Sequence, residues 1–367
     1  MCKEGLFSVV IPAYGREQYW KRAIDSVLFQ DYPRIELVFC DDGTPGFCAE
    51  EVRQYIEKRK RQNLRRYEIV HHSQNLGTVS NLKRADELCT GRYLTHIAAD
   101  DAYCSQTVLS QHAQALNRKE QGVLGIYANS IVCNRELVSQ ECISFDDARA
   151  REMNEMSSDE QFAVIAEGCC IHMGATAFIR EEFMDSGGFD EGYQLIEDWP
   201  FFLKMMLEGY RFHYEPFDAL YYRVGGITNN MYSSPGKRRC LEDHFRLYEE
   251  LILKHFHSFS ISKRMRIYCK YAADKEVLES IFGSLSKKKT ELVFSDSRFV
   301  IYELLFRIRW HWKRLLFWIL GMVVIGCLNW DRTIANVIWT MCVLAVGSVF
   351  TQLRKMHRHK KLIEGKI

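Results

Sequence analysis

Short apolar runs and amphipathic stretches alternate through the first third of the chain. Residues 7–12 are a β-branched run closed by proline, the mark of a buried strand. Residues 17–30 set Trp20, Ile24, Val27 and Leu28 on one helical face. Residues 35–40 read as a second buried strand, ending at Asp41-Asp42-Gly43. Residues 49–60 read as a charged amphipathic helix, and 67–71 as a third strand followed by Asn75-Leu76-Gly77. A helix over 79–88 stops at Thr90-Gly91, and a fourth strand over 93–98 runs into Asp100-Asp101. This order predicts right-handed crossovers and an α/β fold, a mostly parallel sheet with flanking helices. Ligands of such sheets bind beyond the carboxyl ends of the strands, so the two acidic pairs can converge there.

Past residue 110 the alternation loosens. Residues 123–129, 175–179 and 210–214 are strand-like, and 146–158 is polar, a loop or a surface helix. Gly187-Gly188-Phe189-Asp190 is a turn. Residues 198–207 form a helix with Trp199, Phe202, Leu203 and Met206 on its apolar face, and 237–284 is helical and amphipathic. Residues 315–328 and 333–353 carry no charge, with Asn329-Trp330-Asp331-Arg332 between them. The second stretch is long enough to cross a hydrocarbon core of roughly 30 Å. Arg307, Arg309, Lys313 and Arg314 precede the pair, and Arg354, Lys355, Arg358, Lys360 and Lys361 follow it. Basic outer flanks predict a membrane hairpin with both ends in the cytoplasm, spanning or re-entrant; a buried helical hairpin is the alternative. The expected organisation is a catalytic domain over residues 1–235, a helical extension over 236–298 and a membrane-associated hairpin with basic flanks over 299–367.

Composition narrows the class. With 47% apolar and 26% charged residues and a formal charge of +2, the chain has the make-up of a globular protein. No nucleic acid is expected as a partner, since a binder would carry a strongly basic face. The 13 cysteines are scattered and none forms a C-x-x-C pair, so free thiols in a reducing compartment are expected rather than a disulfide framework or a zinc site. Residues 1–5 are short and polar with no signal peptide, which predicts a cytoplasmic catalytic part at the inner or plasma membrane.

Taken singly, the acidic residues are ambiguous. Asp100-Asp101 at a strand end suits a cation or a sugar hydroxyl, because adjacent carboxylates repel each other; it equally suits a helix cap for the segment after Ser105. Asp41-Asp42-Gly43-Thr44 could be a common Asp-Gly turn. Asp198 could cap the aromatic-rich helix that follows it. Arg223 and Lys83 could be phosphate contacts or plain surface residues. His71, His72 and His172 read as structural. Pro12-Ala13-Tyr14-Gly15-Arg16 is not a glycine-rich phosphate loop, which disfavours a nucleotidylyltransferase.

The blocks become specific together. Ser8-Val9-Val10-Ile11-Pro12-Ala13-Tyr14, Ala23-Ile24-Asp25-Ser26-Val27-Leu28-Phe29-Gln30, Tyr32-Pro33 and Asp41-Asp42-Gly43-Thr44 resemble the opening of glycosyltransferase family 2. Asn75-Leu76-Gly77-Thr78-Val79 with Thr90-Gly91-Arg92-Tyr93-Leu94, then Ala99-Asp100-Asp101, are similar to its next elements. Gly187-Gly188-Phe189-Asp190 with Ile196-Glu197-Asp198-Trp199 resembles its acceptor-side motif. The resemblance covers about residues 6 to 230.

That resemblance implies a GT-A fold, a Rossmann-like nucleotide-diphospho-sugar transferase, and an inverting single displacement. Such a reaction needs the departing diphosphate neutralised, the nucleoside gripped and a base for the acceptor hydroxyl. Pro12, Ala13 and Tyr14 would line the nucleobase pocket and Asp42 would accept a hydrogen bond from the base. Asp100 would contact ribose or sugar, Asp101 would ligate Mn²⁺ or Mg²⁺, and Arg223 would meet the diphosphate. Asp198 would be the catalytic base, with Glu197 and Trp199 on the acceptor side. Ala98 or Ala99 stands where the family often has an earlier aspartate, so Asp101 is left as the protein ligand, with diphosphate oxygens and water around it. The implied reaction moves a sugar from a nucleotide-diphosphate donor, UDP-sugar first, to a membrane-associated glycan or lipid-linked acceptor in surface polysaccharide synthesis. The alternatives are transfer to a polyprenyl phosphate, where loss of Asp198 should matter less, and a non-catalytic nucleotide-sugar-binding protein.

Overall fold

The computed structural model describes residues 5–15, 19–134, 137, 139–143, 147–223 and 235–282. The expected hairpin over 299–367 lies outside the described residues. Among the described residues no helix is long and apolar enough to cross a membrane.

The opening alternation is present: β1 (Phe7–Ala13), α1 (Trp20–Leu28), β2 (Ile35–Asp41), α2 (Ala49–Arg59), β3 (Leu64–His71), α3 (Thr78–Leu88) and β4 (Tyr93–His96). β1 sits between β2 and β4, and β2 pairs β3, all parallel. Every residue of β2 is buried, as a strand covered on both faces should be. Trp20, Ile24, Val27 and Leu28 of α1 are buried on the sheet, the face that the spacing predicts.

The second half follows with β5 (Ala102–Tyr103), α4 (Val108–Arg118), β6 (Val123–Cys133), β7 (Ser139–Ile143), α5 (Asp147–Asn154) and α6 (Ser158–Ile165). Then come β8 (Thr176–Ile179), α7 (Arg180–Asp185), α8 (Asp198–Leu207), β9 (Arg211–Arg223), α9 (Pro235–Leu247) and α10 (Ile261–Phe282). The sheet order is β3-β2-β1-β4-β8-β6-β9-β5, with β7 paired to β6. β8 is antiparallel to both β4 and β6, β6 is parallel to β9, and β5 is antiparallel to β9. The sheet is therefore mixed, not mostly parallel. An apolar run such as Thr176–Ile179 marks burial in the sheet centre but carries no direction, and only the pairing reveals the reversed strand.

A buried polar knot ties β1, β2 and the end of α3 together. The Glu36 carboxylate accepts from the Ser8 hydroxyl (2.5 Å), the Thr90 N–H (2.7 Å), the Thr90 hydroxyl (2.8 Å) and Arg66 (2.6 Å). Burial raises its carboxyl, but those donors outweigh it and hold the group below its ordinary value.

The helical stretch expected over 237–284 is broken. α9 passes into a wide turn at Tyr248–Ile252 and a tight one at Leu253–Ser258 before α10 begins. Phe259 stacks on Phe162 of α6 at 5.9 Å, so the chain folds back there. Cys40, Cys48, Cys89, Cys104 and Cys133 are free thiols.

Candidate active site

The carboxyl ends of β1, β2 and β4 open into a cavity of about 350 Å³. One wall is the end of β1 and the residue after it: Pro12, Ala13 and Tyr14, which is 43% exposed. β2 ends in Asp41 and Asp42, which have different tasks. Asp41 accepts the Thr44 N–H at 2.8 Å and pairs with His71 Nδ1 at 2.8 Å, so it shapes the turn. Asp42 lines the cavity, and its two oxygens accept the N–H groups of Leu76 (2.7 Å) and Gly77 (3.0 Å). Burial raises the Asp42 carboxyl, with these two donors opposing.

Asp100 and Asp101 follow β4 and line the same cavity. Asp101 does not cap α4, which starts at Val108. Its Oδ1 instead accepts the Arg223 N–H at 2.8 Å across the sheet, and Arg223 Nε donates to the Asp100 carbonyl at 2.6 Å. Arg223 is buried, with its guanidinium 3.9 Å above the Tyr19 ring, and it lines the cavity. It is no surface arginine: burial lowers its pKa and the two aspartates beside it push the other way. The last residue of β9 and the acidic pair thus form one cluster of opposite charges in a sheltered site.

Whether this cluster suits a divalent cation can be judged from its donor set. Among the described residues no three His, Cys, Asp or Glu side chains gather as a ready-made cage. Mg²⁺ and Mn²⁺ are commonly held by one or two carboxylates together with substrate phosphates and water, and hard oxygen donors suit both. Asp100 and Asp101 fit that pattern, with Arg223 beside them for the remaining phosphate charge.

Glu197 and Asp198 face the cavity from the other side, at the start of α8. The Asp198 Oδ1 accepts the neighbouring Trp199 N–H at 2.6 Å. Both carboxyls are raised by burial, Glu197 further because the Asp198 charge adds to it, while the Trp199 N–H holds Asp198 back. Two adjacent carboxyls raised in this way repel each other as anions, which favours a singly ionised pair. That arrangement gives one free carboxylate base beside a neutral partner.

Trp199 stands outside the cavity wall. Its indole N–H donates to the Ile165 carbonyl at 2.8 Å, and its ring meets His244 (5.6 Å) and Tyr248 (5.8 Å) edge-on. An expected acceptor-side contact thus gives way to packing between α6 and α9. Phe201 and Phe202 are buried against Phe212 of β9, so α8 is apolar on nearly every side. Lys83 pairs with Glu191 at the surface, 3.2 Å apart.

Two cavity residues escaped the sequence reading, which gave His172 no role and did not consider His96. Both imidazoles line the cavity, and the Nδ1 of each is buried with no hydrogen-bond partner among the described residues. Burial pushes His172 down to about 4, so it is neutral, and its ring lies 4.6 Å from Tyr222. His96 is held by Asp86 at 2.7 Å. Nothing in periodicity marks either residue; only the convergence of the 169–174 segment on β4 and β9 does.

Residues 8–187 match the family model described as glycosyl transferase family 2. That segment, about half of the chain, is similar to glycosyl transferase family 2 domains. The chain is 33% identical over 137 residues to the putative colanic acid biosynthesis glycosyl transferase WcaA of Escherichia coli (strain K12), covering 37% of this chain and 46% of that protein. It is 24% identical over 205 residues to the uncharacterized glycosyltransferase RP339 of Rickettsia prowazekii (strain Madrid E), covering 54% and 58%. The chain thus spans about half the length of these relatives. Among solved structures, that of S. aureus TarS 1-349 in complex with UDP superposes with a TM-score of 0.50 at 15% identity, over 84% of this chain and 91% of the other. That likeness is one of fold, α/β and GT-A-like. Glu197, Asp198 and Arg223 lie beyond the segment matched to the family 2 domain, yet they share its cavity with Asp42 and Asp101.

Proposed function

We propose that this protein is an inverting glycosyltransferase. It takes a sugar from a nucleotide-diphosphate donor, with UDP-sugars tested first, and passes it to a membrane-associated glycan or lipid-linked acceptor of surface polysaccharide synthesis. The observation that carries the reading is one cavity with two chemistries: the Asp100-Asp101-Arg223 cluster on one wall and the buried Glu197–Asp198 pair on another. The first suits a diphosphate and its cation, the second an acceptor hydroxyl.

In this reading Tyr14 and Pro12 hold the nucleobase from the mouth and Asp42 takes its hydrogen bond. Each Asp42 oxygen retains a lone pair after accepting a single amide N–H. Asp100 contacts ribose or sugar, and Asp101 holds the Mn²⁺ or Mg²⁺, which when bound neutralises charge on the departing diphosphate. Arg223 meets the phosphates from β9. Asp198 takes the acceptor proton, and Glu197, protonated, orients the acceptor oxygen. The relative named for colanic acid biosynthesis supports the polysaccharide assignment. The uncharged stretches 315–328 and 333–353 with basic flanks support a cytoplasmic site held at the inner or plasma membrane.

The test is a panel of nucleotide-sugars with Mn²⁺ on the membrane fraction, wild type beside Asp101→Asn and Asp198→Asn. Wild type should turn over at least one donor. Asp101→Asn should weaken UDP binding in the presence of metal, and Asp198→Asn should lower kcat by about 10²–10⁴ while UDP binding persists. No turnover by wild type would sink the enzyme reading. Full turnover by Asp198→Asn would point to an acceptor that needs no deprotonation, a lipid phosphate.

A further inference from the structure

The pair Glu197–Asp198 sits at the end of an irregular loop, and a general base must be held within a fraction of an ångström of its substrate. What holds this loop comes from outside the family 2 match. Asp243, buried on α9, turns one carboxylate oxygen toward three successive amides of the loop: Gln194 (3.0 Å), Leu195 (2.7 Å) and Ile196 (3.3 Å). Three N–H groups converging on one acceptor form a concave nest, and a carboxylate fills it better than any neutral acceptor would.

The same loop is pinned from the donor side. The Gln194 carbonyl accepts the Val79 N–H at 3.2 Å and rests against Gly77, whose own N–H serves Asp42. Two further α9 residues grip either end of the loop. Arg246 donates to the Gly192 carbonyl and covers the Tyr193 ring at 5.2 Å, and His244 meets Trp199 just after the pair.

We propose that Asp243 is a positioning residue for the Glu197–Asp198 pair, so that α9 completes the catalytic site of the family 2 domain. The catalytic half of this inference rests on the transfer reading above. Its structural half, that Asp243 fixes the 194–198 backbone, stands independently. Asp243 touches neither donor nor acceptor; it acts through the loop amides.

The experiment compares full-length wild type, Asp243→Asn, Asp243→Glu and Asp243→Ala in three readouts. In hydrogen exchange with UDP bound, amides over 193–199 should exchange faster in the Asn and Ala variants, with β1, β2 and β4 unchanged. In steady-state kinetics, Asp243→Asn should lose about tenfold to a hundredfold in kcat while the donor KM and UDP affinity hold within about twofold. In the pH profile its acid limb should move toward lower pH, because a loosened loop admits water to the pair. Asp243→Glu should recover part of the kcat. Unchanged exchange over 193–199 in both the Asn and Ala variants overturns the inference whatever the activity. Parallel loss of UDP binding and kcat, or an unmoved acid limb despite lower kcat, reduces Asp243 to general structural support and overturns it too. If wild type turns over no nucleotide-sugar while the exchange difference is present, the transfer reading fails and takes the catalytic half with it; the structural half survives.

Discussion

Asp198 and Glu197 are adjacent carboxyls removed from water, and burial raises both. An aspartate in water titrates near 3.9. Here burial pushes Asp198 above that, and burial plus the Asp198 charge pushes Glu197 higher still. In the proposed role Asp198 acts deprotonated, so kcat/KM should fall as pH drops through the raised value. Its acid limb should sit clearly above the ordinary carboxylate range, and its apparent pKa belongs to the pair rather than to one residue. Glu197→Gln cannot ionise, so it should keep the lower limb and lose any second titration at higher pH. A wild-type limb near pH 4, or the same limb surviving in Asp198→Asn, would refute the assignment. Both carboxylates were named from the resemblance of Ile196-Glu197-Asp198-Trp199 to the family's acceptor-side motif, since apolar spacing alone left Asp198 a possible helix cap. The resemblance assigned Asp198 the base role; what spacing could not show was that both carboxyls are buried and that the Trp199 N–H bonds one of them.

At the scale of elements, the strand ends were legible and the links between them were not. Pro12, Asp41-Asp42 and Asp100-Asp101 end buried runs, so their meeting at one sheet edge follows from topology alone. Arg223 was harder: residues 210–214 read as a short strand, but β9 continues through Pro216 and Asp218 to Arg223, carried by its pairing with β6. The break after α9 was hidden because Tyr248, Ile252 and Phe256 keep a helical spacing through it. The link between α3 and the loop before α8 was also hidden, and Gly77 is its hinge point. Its φ is +93° with ψ 154°, a region that side chains avoid, and a Cβ there would lie 2.8 Å from the Gln194 carbonyl oxygen. Gly77→Ala should therefore cost about 1–3 kcal/mol of stability, read as a lowered urea midpoint. It should also lower transfer more than the loss of folded protein explains, because the displaced loop carries Asp198 and the strained turn carries the amides on Asp42. A variant with wild-type midpoint and rate would show that neither the φ nor the contact matters.

For the whole molecule, the proposed reaction requires that a donor cavity be brought to a lipid-linked acceptor. Among the described residues no helix can cross a membrane, so membrane association in this proposal rests on the sequence over 299–367. Two uncharged stretches, 315–328 and 333–353, are bracketed by five basic residues after them and four before, with a single acidic residue, Asp331, in the link. Basic residues stay on the cytoplasmic side, so both outer flanks and the catalytic cavity would share that side. Full-length protein should float with anionic vesicles and resist high-salt extraction, whereas a chain lacking 299–367 should stay in the soluble fraction and still bind UDP. Salt-sensitive flotation would instead indicate a basic patch held at the headgroups, since exposed charge contacts are screened within about 10 Å at ordinary ionic strength. An epitope inserted between Trp330 and Asp331 separates the two hairpin forms: a spanning pair exposes it on the far side, a re-entrant one keeps it on the cytoplasmic side. Equal partitioning of full-length and shortened chains would remove the membrane from the proposal. The acceptor would then have to be sought among soluble glycans.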